Sequence, residues 1–148
     1  MTDPAQLSLS AAQRAMESGD LTAAALLEAC LERIDAREPD VLAWVTMDRE
    51  AARAKAKALD AAGRSGALGG IPVGLKDIIE TADFGTEYNS VIYKGYRPPV
   101  DAAVVSTIKN AGGNILGKTV TTTFAHRNPG PTRNPHNPGH SPGGSSSG

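Results

Sequence analysis

The chain has 148 residues, a length typical of one domain. Its 15 Lys and Arg residues balance 16 Asp and Glu residues to a formal net charge of −1, so it has no general positive field for holding nucleic acid or an anionic membrane. Its hydrophobic content of 40% argues against a disordered chain, and its single cysteine excludes an internal disulfide and a multi-cysteine zinc site.

The N-terminal part of the sequence predicts two helices in succession. The S-x-x-Q pattern of Ser10–Gln13 is typical of a capping box, and it would begin a short helix that ends near Gly19. A second helix is expected from an N-cap at Thr22 to about Arg37, because apolar residues recur there on one stripe. Pro39 would end this helix, since the residue before a proline disfavours the α conformation.

A short strand and a third helix are predicted next. The run Val41–Thr46 is rich in β-branched and aromatic residues, which favour a strand. Asp48 is placed to cap a helix that continues through Ala62. Gly63 would end that helix, because glycine readily adopts the left-handed conformation that follows a helix.

The elements after this point alternate between strand and helix. Ile71–Ile79 is predicted as a β run interrupted by proline and glycine, and Asp101–Ala111 as an amphipathic helix. Asn114–Gly117 would form a buried strand, which the β-prone residues of Thr119–Phe124 would continue. The order of elements indicates an α/β fold in which N-terminal helices precede strands covered by helices.

The composition divides the chain into three parts of a single domain. Residues 1–66 are mainly helical in pattern, and residues 67–126 have the α/β pattern. Residues 127–148 are rich in proline, glycine and serine, which is typical of a loop, and we expect this part to be poorly ordered.

One segment matches a nucleotide-binding pattern in its letters only. Gly112–Thr119 fits G-x-x-x-x-G-K-[ST], whose chemistry needs a strand before the glycine-rich loop and a helix after it. Here a predicted helix precedes the segment and β-branched residues follow it, so the order is inverted. We therefore favour a helix, a glycine turn and a buried strand over a P-loop nucleotide site that uses Lys118.

Lys76 lies in an apolar β run and has two interpretations. Drawn into the interior, its amine would be favoured in the neutral form and could act as a base. At the end of a strand it could instead reach solvent with Asp77 as its partner, and most lysines are exposed. The residues of this segment alone leave both interpretations open and favour the exposed lysine.

No metal or cofactor site is predicted. His126, His136 and His140 lie in or beside the proline-rich part, where prolines prevent a helix from bringing two of them to one metal. Cys30 lies on the apolar stripe of the second helix and is expected to pack in the core. The run Gly143–Gly148 is typical of a flexible linker, and it would also permit a tight backbone path through an active site.

Three segments in order carry a resemblance to a known family. They are Gly69–Asp77, Ile115–Thr119 and Ser141–Gly148, and together they resemble the amidase signature family of serine hydrolases. The resemblance implies a mixed sheet covered by helices, present here in part. It also implies hydrolysis of, or transfer from, a small-molecule carboxamide by a Ser–cis-Ser–Lys triad without a cofactor. It favours the buried interpretation of Lys76.

The resemblance assigns two triad positions. Lys76 matches the family's buried base, and Ser145 matches the serine held by a cis peptide bond, which relays a proton between the lysine and the nucleophile. The family's nucleophilic serine and its oxyanion loop lie after the Gly–Ser run, beyond Gly148. Neither Ser146 nor Ser147 is in the matching position. We therefore expect the isolated chain to have no amidase activity.

A second expectation concerns the peptide bond before Ser145. A non-proline cis bond persists only where its surroundings enforce it. Because few residues follow Ser145, we expect a trans Gly144–Ser145 bond or a disordered tail from about Asn128. We also expect exposed apolar strand edges, since later strands of the family's sheet are missing.

Alternatives to a stand-alone amidase remain inside and outside the family. The A subunit of the glutamyl- or aspartyl-tRNA amidotransferases, which supplies ammonia to misacylated tRNA, typically has a Met-Gly-Ser-Ser-type loop where this chain has His126–Pro131. That difference favours a stand-alone amidase. Outside the family, the alternatives are a P-loop nucleotide binder and a non-catalytic interaction module.

Location and assembly are less constrained by the sequence. The first residues lack the basic and apolar regions of a secretion signal. No apolar run approaches the roughly 20 residues that span a bilayer. We expect a cytoplasmic protein without a membrane or nucleic-acid partner. The identity of the amide and the presence of a homo-oligomer stay open.

Overall fold

A computed structural model describes residues 3–148. In this part of the chain, four α-helices and three strands follow one another, with bounds α1 (Leu9–Glu17), α2 (Ala23–Val41), β1 (Trp44–Met47), α3 (Arg49–Ala61), β2 (Pro72–Lys76), α4 (Ala103–Asn110) and β3 (Asn114–Thr119). Short 3-10 turns lie at Pro4–Gln6, Val91–Tyr93 and Thr123–Ala125. The predicted α/β fold is confirmed.

The first helix begins at a different cap from the predicted one. Ser8 has an extended backbone, and its Oγ accepts a hydrogen bond from the amide of Ala11. Ser10 already lies inside the first turn, so its prediction as the cap is wrong by two residues. The helix ends before Gly19, which has a φ of 85°, as the sequence indicates.

The second and third helices begin where the sequence predicts. The side chains of Thr22 and Asp48 accept amide hydrogen bonds at the starts of α2 and α3. The predicted end of α2 is wrong, because the helix continues to Val41 with Pro39 in its last turn. A proline there removes one hydrogen bond, and the helix instead ends at Leu42, which has a φ of 56°.

The strands form one mixed sheet in the order β1-β3-β2. β1 pairs antiparallel with β3, with Met47 opposite Gly117 and Thr46 opposite Lys118. A side chain at Gly117 would overlap the carbonyl oxygen of Thr46, so the close approach of these strands requires glycine at that position. β3 ends at Thr119 rather than continuing to Phe124 as predicted.

The chain divides into two compact units by its internal contacts. The first unit comprises Met1–Ala36, Asp48–Val73 and Thr107–Leu116, and the second comprises Arg37–Met47, Gly74–Ser106 and Gly117–Gly148. Buried apolar residues of the first unit are small or aliphatic: Ala12, Met16, Leu21, Ala23, Leu26, Leu27, Leu31, Ala52, Ala56, Leu59, Ile71 and Leu116. This composition agrees with an aromatic content of only 4%.

The second unit buries an unusual share of polar side chains. Its buried polar and charged side chains are those of Asp77, Thr81, Thr86, Lys118, Thr121, Thr122 and Thr132, beside the buried apolar side chains of Leu75, Phe84, Pro98, Val105 and Val120. Its most exposed large apolar residues, Val91 and Ile92, lie in a 3-10 turn, and Val45 of the edge strand β1 is also exposed. None of the described helices is long and apolar enough to cross a membrane.

Candidate active site

The end of β2 brings Lys76 to a serine far away in the sequence. Lys76 is the last residue of the strand, and its Nζ donates a hydrogen bond to Ser145 Oγ at 2.6 Å. The two residues are 69 positions apart, and both side chains are half-buried. The amine is therefore held against a hydroxyl instead of extending into bulk solvent.

The segment that carries Ser145 is paired with the chain that leaves β3. The carbonyl of Ser145 accepts a hydrogen bond from Thr122 N at 3.0 Å, and Ser146 forms a β-bridge with Thr121. The amide of Gly148 donates to Val120 O at 2.9 Å. The last residues of the sequence thus follow the backbone of Val120–Thr122.

The Gly144–Ser145 peptide bond is cis, so the prediction of a trans bond is wrong. That prediction assumed that nothing near the end of the sequence could fix the backbone. The partners come instead from Val120–Thr122, which lie more than twenty residues earlier in the chain. A reading of neighbouring residues alone does not reveal them.

Asp77 has a different partner from its neighbour Lys76. Successive side chains of a strand point to opposite faces of a sheet. Asp77 is 1% exposed, its Oδ1 lies 3.3 Å from Lys118 Nζ, and its Oδ2 accepts the amide of Glu87. The simpler interpretation, in which Asp77 pairs with an exposed Lys76, is therefore wrong.

Lys118 is the buried residue that sequence reasoning missed. It is fully buried, and its Nζ donates to Thr86 Oγ1 at 2.6 Å, to Ile79 O at 2.8 Å and to Gly85 O at 3.3 Å. The sequence analysis names it as the lysine of a P-loop pattern and as part of the Ile115–Thr119 segment, in neither case as a buried charge. The signal for burial was alternation along β3, which places Lys118 on the same face as the buried Leu116.

The structure around Lys118 also shows that Gly112–Thr119 does not form a P-loop. The residues from Asn114 to Thr119 are themselves a strand, where a P-loop needs a glycine-rich loop. The described chain after Thr119 forms a 3-10 turn at Thr123–Ala125 and no α-helix. The Lys118 ammonium is enclosed by protein oxygens and does not point to a phosphate site.

Burial opposes charge on both members of the Asp77–Lys118 pair. Loss of water raises the pKa of the Asp77 carboxyl, and the nearby Lys118 ammonium and the amide of Glu87 partly offset this rise. Loss of water likewise lowers the pKa of Lys118, which Asp77 and Glu80 partly offset. Three oxygen acceptors, those of Thr86 Oγ1, Ile79 O and Gly85 O, take the place of water around the Lys118 amine.

An aromatic cluster lies beside the turn that follows Lys76. The cluster consists of Tyr88, Tyr93, Tyr96 and Phe124. Tyr88 N donates to the carbonyl of Asp77, and Tyr88 OH donates to Glu80 Oε1 at 2.8 Å. The pKa of Tyr88 is raised to about 12. Burial is the largest cause, and the hydrogen bond to the Glu80 carboxylate and the negative charge of Glu80 add to it.

Residues 3–148 hold no group of three or more His, Cys, Asp or Glu side chains placed to bind a metal ion. Of the residues considered for such a role, Cys30 is half-buried in α2, and burial raises the pKa of its thiol. His136 and His140 take part in backbone hydrogen bonds of a turn near Asn134.

Comparison with known proteins identifies what this arrangement is similar to. The family profile named Amidase matches residues 25–148. The A subunit of glutamyl-tRNA(Gln) amidotransferase from Chloroflexus aurantiacus is 41% identical over 158 aligned positions, which cover 100% of this chain and 32% of that protein. The corresponding protein of Roseiflexus sp. strain RS-1 is 42% identical over 97% of this chain and 31% of its own length.

Solved structures give the same result at the level of the fold. Native peptide amidase from Stenotrophomonas maltophilia matches with a TM-score of 0.86 and 34% identity, over 97% of this chain and 33% of its own. The 6-aminohexanoate cyclic dimer hydrolase matches with a TM-score of 0.85 and 31% identity, over 99% of this chain and 31% of its own. The chain thus spans about a third of the length of the proteins it matches.

Proposed function

The chain belongs to the amidase signature family, and on that premise we propose that it supplies the lysine and the cis-serine of a Ser–cis-Ser–Lys site for cleaving carboxamides. The observation that carries this proposal is the 2.6 Å contact between Lys76 Nζ and Ser145 Oγ. A lysine and a serine 69 residues apart meet there at the end of a strand, with a cis bond before the serine. This is the pair of residues that the family resemblance assigns to proton transfer.

The proposed roles follow from the acidity of the groups. A serine hydroxyl attacks an amide carbonyl only when a neighbouring base accepts its proton. In the proposed site, the nucleophilic hydroxyl passes its proton to Ser145 Oγ while Ser145 passes its own proton to a neutral Lys76 amine. When the tetrahedral intermediate collapses and its C–N bond breaks, Ser145 gives its proton to the leaving nitrogen and recovers one from Lys76. Water, deprotonated by the same relay, then releases the acyl group from the nucleophile. In the family resemblance, the nucleophile belongs to a segment that follows the Gly–Ser run.

The experiment that tests this proposal needs a protein in which this sequence is continued by the nucleophilic segment of the family. Lys76→Met and Ser145→Ala should each lower kcat for a simple carboxamide by about 10²–10⁴-fold, the usual contribution of general acid–base catalysis. Ammonia release is the measurement.

The matched control is Lys94→Met, the same change at an exposed position of the second unit, and it should leave kcat unchanged. Full activity of either Lys76→Met or Ser145→Ala, in a protein that folds normally, would contradict the proposal.

A second candidate within the family is the amidotransferase subunit. The relatives with about 40% identity carry that name, which favours it. The His126–Pro131 loop and the match to peptide amidase favour a stand-alone amidase. The two are separated by substrate range. Ammonia release from a panel of simple carboxamides supports the amidase, whereas no release from any of them supports the amidotransferase.

A further inference from the structure

The turn between Asp77 and Thr86 is built around one ammonium group. Within this turn, Ile79 O and Gly85 O accept hydrogen bonds from Lys118 Nζ, as does Thr86 Oγ1. The Asp77 carboxylate lies 3.3 Å away and supplies the opposite charge. Lys118 is fully buried, so these four oxygens take the place of its water shell.

This turn leaves β2 directly at Lys76. The carbonyl of Lys76 accepts a hydrogen bond from Ile79 N at 2.9 Å, and the amide of Asp77 donates to Thr119 O at 2.9 Å. Lys118 and Thr119 are neighbours in β3, so the same strand anchors Asp77 through its backbone and through its side chain. The main chain on the C-terminal side of Lys76 is thereby fixed.

Within residues 3–148, a single hydrogen bond holds the Lys76 amine in place. The hydrogen bond that the structure gives its Nζ is the one to Ser145 Oγ. A four-carbon side chain has many rotamers, so the position of its amine depends strongly on the direction in which its backbone leaves the strand. A displaced turn would change the direction in which the Lys76 side chain leaves the strand, and with it the distance from the amine to Ser145 Oγ.

We propose that Lys118 is a positioning residue for the Lys76–Ser145 pair: its buried ammonium holds the Asp77–Thr86 turn and so aims Lys76 at Ser145. The proposal rests on the proposed function, because it gives Lys118 a role in the proton transfer assigned there. Lys118 does not touch the reacting atoms and acts only through the turn. Packing alone does not explain a charged side chain at this buried position, since a well-packed apolar residue of similar size often gives equal stability.

The test measures how strongly Ser145 influences Lys76, in the folded 148-residue chain labelled with ¹³C at lysine Cε. The Lys76 resonance is assigned from its loss in Lys76→Met. Ser145→Ala should shift this resonance in the wild-type background. In the Lys118→Met background the same serine substitution should produce no shift, because the amine no longer lies against the hydroxyl.

The control background is Lys94→Met, in which the shift caused by Ser145→Ala should equal that of the wild type. A role of Lys118 in overall stability alone would leave the shift intact in any folded variant. An undiminished shift in folded Lys118→Met therefore overturns the positioning proposal while leaving the proposed function standing. Absence of the shift in the wild-type background instead refutes the Lys76–Ser145 contact, and with it the proposed function.

A milder variant decides the question if Lys118→Met does not fold. Thr86→Val removes one oxygen partner of Lys118, at 2.6 Å, and keeps both the size of the side chain and the Asp77–Lys118 pair. The shift caused by Ser145→Ala should be smaller in Thr86→Val than in the wild type. An equal shift in this folded variant contradicts the proposal.

Discussion

Lys76 and Asp77 are adjacent residues of opposite charge that do not pair with each other. The alternation of a strand sends Lys76 to Ser145 and Asp77 to Lys118. This separation matters for the proposed chemistry. A carboxylate against the Lys76 amine would favour its protonated form, whereas a serine hydroxyl is a neutral partner that can pass a proton.

Tyr88 provides a prediction at the same scale. Burial and the Glu80 carboxylate raise the pKa of Tyr88 to about 12, against roughly 10 for an ordinary tyrosine. Because the folded state holds this proton more tightly than the unfolded state, the contribution of Tyr88 to stability is present below pH 10 and is lost as the pH rises towards 12. Ultraviolet titration of tyrosinate should therefore show a late phase near pH 12 that is absent in Tyr88→Phe.

Glu80→Gln is the informative companion to that titration. It keeps an oxygen acceptor for the hydroxyl and removes the negative charge, so the late phase should move to lower pH. A late phase that stays in place in Glu80→Gln would show that the negative charge of Glu80 does not hold the tyrosine proton.

Among the elements, the start of α2 is stabilised by a side chain of another helix. The amides of Ala23 and Ala24 donate to the two carboxylate oxygens of Asp60 in α3, at 2.9 and 3.0 Å. Arg64 donates to the same carboxylate and to the carbonyl of Met16 at the end of α1. One ion pair thus satisfies the termini of two helices and links them to a third.

This arrangement gives a prediction with a defined pH dependence. Burial acts to raise the pKa of Asp60, but the amides of Ala24 and Ala23 and the Arg64 guanidinium outweigh it and hold the pKa below its usual value. Asp60→Ala should lower the free energy of unfolding by about 1–2 kcal/mol at neutral pH, as for other lost helix caps. Urea denaturation is the measurement.

The sign of the pH effect follows from the lowered pKa of Asp60. The stabilisation is present above roughly pH 4, where an unfolded aspartate is ionised, and it is lost as the pH falls through the folded-state value. The difference between wild type and Asp60→Ala should therefore shrink in acid. Asp20→Ala, a change at an exposed aspartate of the same unit, should show neither the loss nor its pH dependence. A difference that persists unchanged in acid would contradict the assignment.

At the scale of the whole molecule, the chain spans about a third of the proteins it matches. Its second unit contains Lys76 and Ser145, the two residues proposed to move a proton. In the family resemblance, the nucleophilic serine whose proton they accept lies in a segment that follows the Gly–Ser run. A proton relay without a nucleophile forms no acyl-enzyme, because no atom attacks the carbonyl carbon.

The corresponding prediction is that the isolated chain does not hydrolyse amides. Purified 148-residue chain, incubated with simple carboxamides, should release ammonia no faster than buffer. Turnover that disappears in Lys76→Ala would refute this expectation, because it would require a nucleophile among the residues present. Turnover that survives in Lys76→Ala would point to a contaminating enzyme.

The sequence by itself determined most of the elements, because their causes lie within a few residues. The caps at Thr22 and Asp48 and the glycine after α3 depend on neighbouring amides, and the structure confirms them. The misplaced boundaries, at Ser8 and at Pro39, are also local. At each of these two positions the same residues also permit a different helix boundary, and the hydrogen bonds of the folded chain select the observed one.

The motif order also identified the family from sequence, and the family profile confirms it. The partners of the charged groups were decided only by the tertiary structure. β3 and Val120–Thr122 decide which face of β2 lies against Ser145 and which lies against Lys118. They also supply the backbone partners of the segment that carries Ser145. Burial and long-range pairing set these contacts, and the distance between the residues along the chain hides them from any local pattern.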